Sequence, residues 1–444
     1  MTTTTINPKA PSEVLERLDR HILADGMEMV LDLDKSHGSF IHDALRGREI
    51  LDLFGCYSTI PVGYNHPRIL EPDFKQRLLA AAVNKPANSE LYTREMADFV
   101  EAFARTLPEA FRRHTFYISG GALAVENALK TAFDWKRRKN ERAGRTARGE
   151  QVIHFRDAFH GRSGYTMSLT NTDPRKTQYF PKFDWPRIRN PYLSFPVTDE
   201  VLERVEREER AAIEEIHQAL ADNRHDVAAL IIEPIQGEGG DNHFRPEFLQ
   251  ALRELADEEE FLLIFDEVQT GFATTGRWWA FEHMGVEPDV FAFGKKTQVC
   301  GIAAGPRIDE VESVFEVSSR INSTWGGNLV DMVRCQRIVE IIEEDDLLLN
   351  AEMVGGELLA GVRAWESSHP HLVSNARGRG MFVAFSLPSH EQRQALLEAM
   401  NRQDVLGLPS GRRSVRFRPA VSLSSDEAAE ALRRIERALD SLPT

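Results

Sequence analysis

Four turns along this 444-residue chain carry side chains that could do chemistry together. The apolar run Phe261–Phe265 delivers Asp266 at its end. A carboxylate there costs several kcal/mol to desolvate unless it meets a positive partner, and a protonated heterocyclic nitrogen would be one. The run Val290–Phe293 ends in Gly294-Lys295-Lys296-Thr297. A lysine at the end of a buried strand can have its pKa lowered and act as a nucleophilic amine, and both Lys295 and Lys296 qualify. Thr115–Ile118 leads through Ser119-Gly120-Gly121-Ala122 straight into a helix, where free N–H groups favour a phosphate. Gln151–Phe155 is followed by Phe159 and Arg162, an aromatic that could stack on a planar ligand and a fork suited to a carboxylate. Taken singly, each has a plain structural reading: a helix cap, an exposed lysine, an ordinary turn, core packing or a surface ion pair. Taken together, they furnish an imine-forming amine, an anion cradle, a ring clamp and a carboxylate for a pyridine nitrogen, which is what pyridoxal 5′-phosphate needs to work as an electron sink.

The elements that must position these groups alternate. Thr115–Ile118, Gln151–Phe155, Ala228–Ile232, Phe261–Phe265 and Val290–Phe293 read as short buried strands, with helical patterns such as Ala122–Lys139 and Leu202–Leu220 between them. This predicts an α/β fold with a mainly parallel sheet flanked by helices, its ligand at the C-terminal strand ends. Before it come a helix over Ser12–Leu23 and extended pieces around Val30–Leu33, Ser39–Ile41 and Ile50–Phe54; after it come a helix over Met332–Glu344, strands over Gly378–Leu387 and Ser414–Arg418, and a last helix over Asp426–Leu439. The chain therefore divides into an N-terminal segment (1–70) packing with the small domain, a large cofactor-binding domain (71–330) and a smaller α+β domain (331–444). Residues 1–10 read as a frayed polar tail, and Lys136–Arg148 and Glu200–Glu215 as solvated helix faces or loops.

Composition removes other classes. Hydrophobic residues at 42% supply a sizeable core, and the net charge of −15 argues against nucleic acid or an anionic membrane as partner. Cys56, Cys300 and Cys335 have neither disulfide-framework nor zinc spacing and read as buried thiols of a reducing cytoplasm; no metal is expected. The start shows no apolar signal segment, and no run of about 18 apolar residues could span a membrane. Phe261–Glu267 looks like the strand that holds magnesium in a nucleotide hydrolase, but no phosphate-binding G-x-x-x-x-G-K-[ST] accompanies it, and no G-x-G-x-x-G supports a nicotinamide cofactor.

The runs SGGALAVENALKTAFDWK, FHGRSGYTMSLTNT, KFDWPRI, EPIQGEGGD, FDEVQTG, FGKKTQVCG, NSTWGGNL and VRFRPA resemble the class III (ω-) aminotransferases among fold-type-I pyridoxal phosphate enzymes. The resemblance extends from about Leu23 to Leu442, and FGKKTQVCG with NSTWGGNL is most similar to members acting on the terminal amine of L-lysine. It implies that Lys295, with Lys296 as its rival, bonds the cofactor aldehyde and that Asp266 binds the pyridine nitrogen. Val268 and Phe159 would pack on the two ring faces, and Gln269 would bond the ring hydroxyl. Gly121 and Ala122 would offer N–H groups to the phosphate. Many relatives carry Ser-Gly-Thr where this chain has Gly120-Gly121-Ala122, so one hydroxyl contact is lost. Thr324, and with it Asn322 as a substrate contact, would serve a site built across a homodimer interface.

The same resemblance implies an answer to the two-substrate problem. Arg162 would hold the distal carboxylate of both L-lysine and 2-oxoglutarate. Arg416 would hold the carboxylate beside the keto carbon, and Glu238 would neutralise Arg416 when lysine is bound. The products would be 2-aminoadipate 6-semialdehyde and L-glutamate. Ornithine, 4-aminobutyrate and diaminobutyrate are the alternative amines, because Phe54–Pro67, which lines the substrate end in relatives, sets chain-length preference.

Overall fold

The apolar runs lie side by side in one sheet in the protein's computed structural model, which describes residues 10–443. In chain order its strands are β1 (His114–Ile118), β2 (Gln151–Phe155), β3 (Arg187–Ile188), β4 (Val227–Ile232), β5 (Leu262–Asp266), β6 (Val290–Phe293) and β7 (Cys300–Ala304). Their spatial order is β1-β7-β6-β5-β4-β2-β3. Pairing from β6 through β3 is parallel, and only β7 runs against its neighbours β6 and β1. Every residue of β4, β5 and β6 is buried, as continuous apolar runs covered on both faces must be.

Helix Gly121–Arg142 covers β4, β6 and β7. Its inward face is Ala124, Val125, Ala128, Leu129 and Ala132, a helical spacing whose alanines let the helix axis come close to the sheet. Helix Pro246–Glu258 packs on β5, and Asp199–Asp222 beside β3.

Toward the C-terminus, Ser374–Arg379, Phe382–Ser386, Leu408–Ser410 and Ser414–Phe417 form a four-stranded antiparallel sheet. Helices Leu347–Ser368, His390–Arg402 and Ser425–Asp440 pack against it or against one another. The N-terminal strand Arg48–Asp52 pairs in parallel with Val405–Leu406, and Arg48 bonds Asp404 at 2.7 Å, so the two ends of the chain share a sheet.

Several sequence expectations need correction. The first helix is a short 3₁₀ turn followed by Val14–Asp19 only. Val30–Leu33 forms no strand beyond a bridge from Leu31 to Asp43. Gly378–Leu387 is not one strand but a hairpin, turned at Gly380 with φ +56°. Lys136 is not solvated: it is 1% exposed and its ammonium donates to the carbonyl of Glu260. Glu209 is likewise buried, held 2.9 Å from Arg245. The three cysteines are free thiols, but Cys56 is only half-buried. The expected tail, residues 1–9, lies outside the described residues. No described helix is long and apolar enough to cross a membrane.

Candidate active site

The C-terminal ends of β5 and β6 deliver Asp266 and Lys295 to one cavity of about 510 Å³. Asp266 is 5% exposed. One of its oxygens accepts from the Val268 N–H at 3.0 Å; the other lies 2.8 Å from Nδ1 of His160, whose own side chain is fully buried. His160 Nε2 has no partner among the described residues. Lys295 follows an extended Gly294 and itself adopts φ +54°, a left-handed conformation that costs a lysine on the order of 1 kcal/mol and recurs where a side chain is aimed at a site. Burial, helped by the nearby Arg416 guanidinium, pushes the Lys295 amine down to about 8.

The two adjacent lysines part company. Lys296 turns away from the cavity and donates to the carbonyls of Pro419 (3.1 Å) and Ile60 (3.5 Å). Its pKa also falls, to about 7, chiefly through burial, but its nitrogen is committed to backbone oxygens.

Gly120, at φ +110°, opens helix Gly121–Arg142 without a side-chain cap. Its first N–H groups therefore face the cavity wall formed by Gly121 and Ala122. A Cβ on Gly121 would lie 2.9 Å from Val268, so the Val268 side chain already fills that space. Phe159 and Val268 both line the cavity.

The mouth is cationic. Arg162 lines it, exposed and without an ion-pair partner among the described residues. Arg416 is 3% exposed, its pKa lowered by burial, and it donates to the neutral amide oxygen of Gln269 at 2.8 Å. Arg418 donates to the same oxygen at 3.1 Å and is paired with Asp241.

Two residues have partners that the sequence did not indicate. Glu238, expected to neutralise Arg416 when lysine is bound, is here ion-paired with Lys176 and accepts from Thr172 Oγ1 at 3.3 Å, because the loop after β2 brings that ammonium to it. Gln269 lines the cavity as expected, but two arginines occupy its oxygen, leaving its amide nitrogen for a ligand. Asn322 and Thr324 are not brought to this cavity by their own chain; they line a surface depression with Ala87, Ser89 and Glu90.

Three cavity or mouth residues escaped sequence reading: His160, Lys176 and Glu233. Glu233 follows the all-buried β4 just as Asp266 closes the apolar β5, so the same signal marks it. It accepts from the N–H groups of Phe159 (3.1 Å) and Gly237 (2.9 Å), and burial raises its carboxyl to about 7. A larger cavity, about 640 Å³, has an aromatic wall including Phe133, Tyr165, Phe183 and Trp185; its buried Asp134 is paired with Arg320 and Arg138, and it offers no comparable amine–acid set.

Residues 22–439 match the family model described as aminotransferase class-III. The chain belongs to this family. It is 49% identical over 435 residues to the L-lysine-epsilon aminotransferase of Mycobacterium tuberculosis strain H37Rv, covering 97% of this chain and 96% of that protein. It is equally identical, 49% over 432 residues, to the enzyme of the same name from Amycolatopsis lactamdurans, with 97% and 96% covered. Its fold superposes on the solved structure of lysine aminotransferase from M. tuberculosis in the internal aldimine form with a TM-score of 0.95, covering 97% of this chain and 99% of the other. Class III aminotransferases depend on pyridoxal 5′-phosphate. The residues present fit that cofactor: an uncapped helix N-terminus for its phosphate, a buried Asp266 backed by His160 for a protonated ring nitrogen, and the lowered amine of Lys295 for its aldehyde.

Proposed function

We propose that this aminotransferase moves the ε-amino group of L-lysine to 2-oxoglutarate, yielding 2-aminoadipate 6-semialdehyde, which cyclises, and L-glutamate. The observation that carries the reading is a pair of guanidinium groups at the Lys295 cavity, Arg162 on its lining and buried Arg416 bonded to the lining residue Gln269, neither of them bound to a carboxylate among the described residues. Two such groups suit a substrate with a carboxylate at each end, and one of them suffices for an amine donor whose carboxylate is remote. Near-half identity to L-lysine-epsilon aminotransferases supports lysine as that donor.

Bound pyridoxal phosphate supplies an electron sink for the carbon that carries the amine. The chain's own residues do the rest. Asp266 holds a proton on the ring nitrogen, and His160 fixes the orientation of Asp266. Lys295, with an amine half-deprotonated near pH 8, is placed to move a proton at the substrate carbon as general base and acid. Phe159 and Val268, which line the cavity, would pack against the cofactor ring, and the N–H groups of Gly121 and Ala122 would hold its phosphate. Arg162 binds the distal carboxylate of either substrate, and Arg416 binds the carboxylate beside the keto carbon. Gln269 accepts from Arg416, and Glu238, paired here with Lys176, would neutralise Arg416 when lysine is bound. Asn322 and Thr324 complete the cavity of a second copy, which makes the homodimer the working unit.

The test is glutamate formation from 2-oxoglutarate with a panel of ω-amines. Lysine should be preferred over ornithine, 4-aminobutyrate and diaminobutyrate. Equal turnover of ornithine would overturn the substrate assignment, and light scattering that finds only monomers would overturn the shared site.

A further inference from the structure

We propose that Lys176 is a specificity-determining residue that holds Glu238 away from Arg416 and so keeps that guanidinium free for a substrate carboxylate. The inference rests on the two-substrate reading above and adds to it the residue that sets the balance between the two.

The charges at the cavity mouth do not cancel. Arg162, Arg416 and Lys176 bring three cations, and among the described residues Glu238 is the one carboxylate ion-paired with any of them; Asp241 is already taken by Arg418. Glu238 can neutralise one cation at a time, and in this structure it takes Lys176. The pair is braced: Thr172 Oγ1 donates to Glu238 at 3.3 Å and accepts from Lys176 at 3.4 Å, and the Lys176 ammonium lies 5.3 Å from the centre of the Phe159 ring. Both side chains remain about a quarter exposed, at 25% and 24%. Arg416, by contrast, is buried, bonds only the neutral oxygen of Gln269 through Nη1, and leaves its Nε without a partner.

A buried guanidinium without an ion-pair partner among the described residues attracts any carboxylate within reach, and Glu238 is tethered beside it: its neighbour Gly237 packs against the same Gln269 oxygen that Arg416 bonds. Two positions of Glu238 therefore compete: one on Lys176, one on Arg416. Lys176 weights the first. The population with an open Arg416 is the one that binds a carboxylate beside the reacting carbon, so its fraction scales the apparent affinity for the keto acid. An amine donor has no carboxylate at that place and gains nothing from an open Arg416. Removing Lys176 should consequently penalise one substrate and spare the other; loss of general positive charge would also weaken a dianion, but it would do so whether or not Glu238 is present.

The experiment uses the holoenzyme and glutarate, a non-reacting dicarboxylate, with its Kd read by calorimetry. Lys176→Gln and Lys176→Met should each weaken glutarate about fivefold, the size of a favourable, partly exposed ion pair. The KM for 2-oxoglutarate should rise with it while the KM for lysine stays put, and Lys176→Arg should restore both. In a Glu238→Gln background the Lys176 substitutions should have no further effect on glutarate. An unchanged glutarate Kd in the single variants would overturn the proposal, and so would an equal loss in the Glu238→Gln background, which would mean that Lys176 binds the carboxylate itself. The calorimetric arm needs no amine donor, so a failure of lysine turnover would refute the substrate reading and leave this one standing.

Discussion

Replacing Glu233 by glutamine removes a buried titrating group while keeping its shape, and its consequence can be worked out from the surroundings. Glu233 is 5% exposed, receives two backbone N–H groups and has its carboxyl raised from 4.5 to about 7 by burial, with Asp266 adding to the rise and His160 opposing it. A raised carboxyl binds its proton more tightly in the folded state than in the unfolded one. The stability that difference gives is present below about pH 4.5 and lost as pH climbs through about 7. The difference corresponds to about 3 kcal/mol between the ends of that window. Glutamine has no such dependence. Its NH2 group must instead face one of the two N–H donors, a penalty of about 1–3 kcal/mol that does not vary with pH. Thermal unfolding of both holoproteins from pH 5 to pH 8 should therefore show Glu233→Gln gaining on the parent by about 3 °C, given the unfolding entropy of a chain of this length. A gap in melting temperature that stays constant across the range, or that widens in favour of the parent, would refute the reasoning.

Other perturbations separate neighbours. Lys295→Ala should abolish the borohydride-trapped cofactor adduct. Lys296→Ala should keep the adduct at Lys295 but melt about 1–3 °C lower, because the carbonyls of Pro419 and Ile60 lose their buried donor at about 1–3 kcal/mol; mass spectrometry and calorimetry read the two effects. In the apoprotein, the rate of trapping at Lys295 should rise with pH and level off above about 8, since only the free amine attacks and its pKa is lowered to that value; a midpoint near 10 would show that the pocket does not desolvate it. Arg416→Gln should raise the KM for 2-oxoglutarate by at least roughly tenfold, the scale of a lost charge-assisted hydrogen bond, and spare lysine, whereas Arg162→Gln should weaken both substrates. Steady-state kinetics with each substrate varied in turn distinguishes them.

The sheet was legible because its strands are short apolar runs with turns behind them: Gln151–Phe155 and Val290–Phe293 have in the structure the bounds the pattern predicts. Strand Cys300–Ala304 escaped notice because CGIAA has a single β-branched residue and a glycine, and its burial comes from its position between β1 and β6. Helix Leu347–Ser368 was hidden by Gly355, Gly356 and Gly361, each costing about 1 kcal/mol in a helix interior. Two of them have a packing reason. A Cβ on Gly355 would meet the backbone of Gly380 at 2.1 Å, and one on Gly361 would meet Leu432 at 2.5 Å. Close approach of the helix to the hairpin and to the last helix thus compensates a propensity that reads as helix-breaking. Lys136 failed the opposite way. Its charged neighbours suggest solvent, but its stem is buried against the domain and its nitrogen reaches the backbone carbonyl of Glu260, with that residue's carboxylate 3.7 Å away.

At the site, residue types were more legible than their pairings, and the reason is geometric. Asp266, Lys295 and the Gly120-Gly121 turn each sit at the end of a regular element, so the strand or helix fixes where they point once the sheet is known. Glu238 sits in a turn, Lys176 at the end of the short 3₁₀ turn Pro174–Lys176, and Arg416 in a strand of the other sheet. Which cation the carboxylate meets depends on loop paths that periodicity does not encode. An ion pair between such segments is also a choice among near-equal partners, since moving Glu238 from one cation to another exchanges one charge-assisted contact for a similar one. The positions that the sequence left ambiguous are therefore those set by loop paths, and under the proposed two-substrate reading they are also where a carboxylate would have to change partner between substrates.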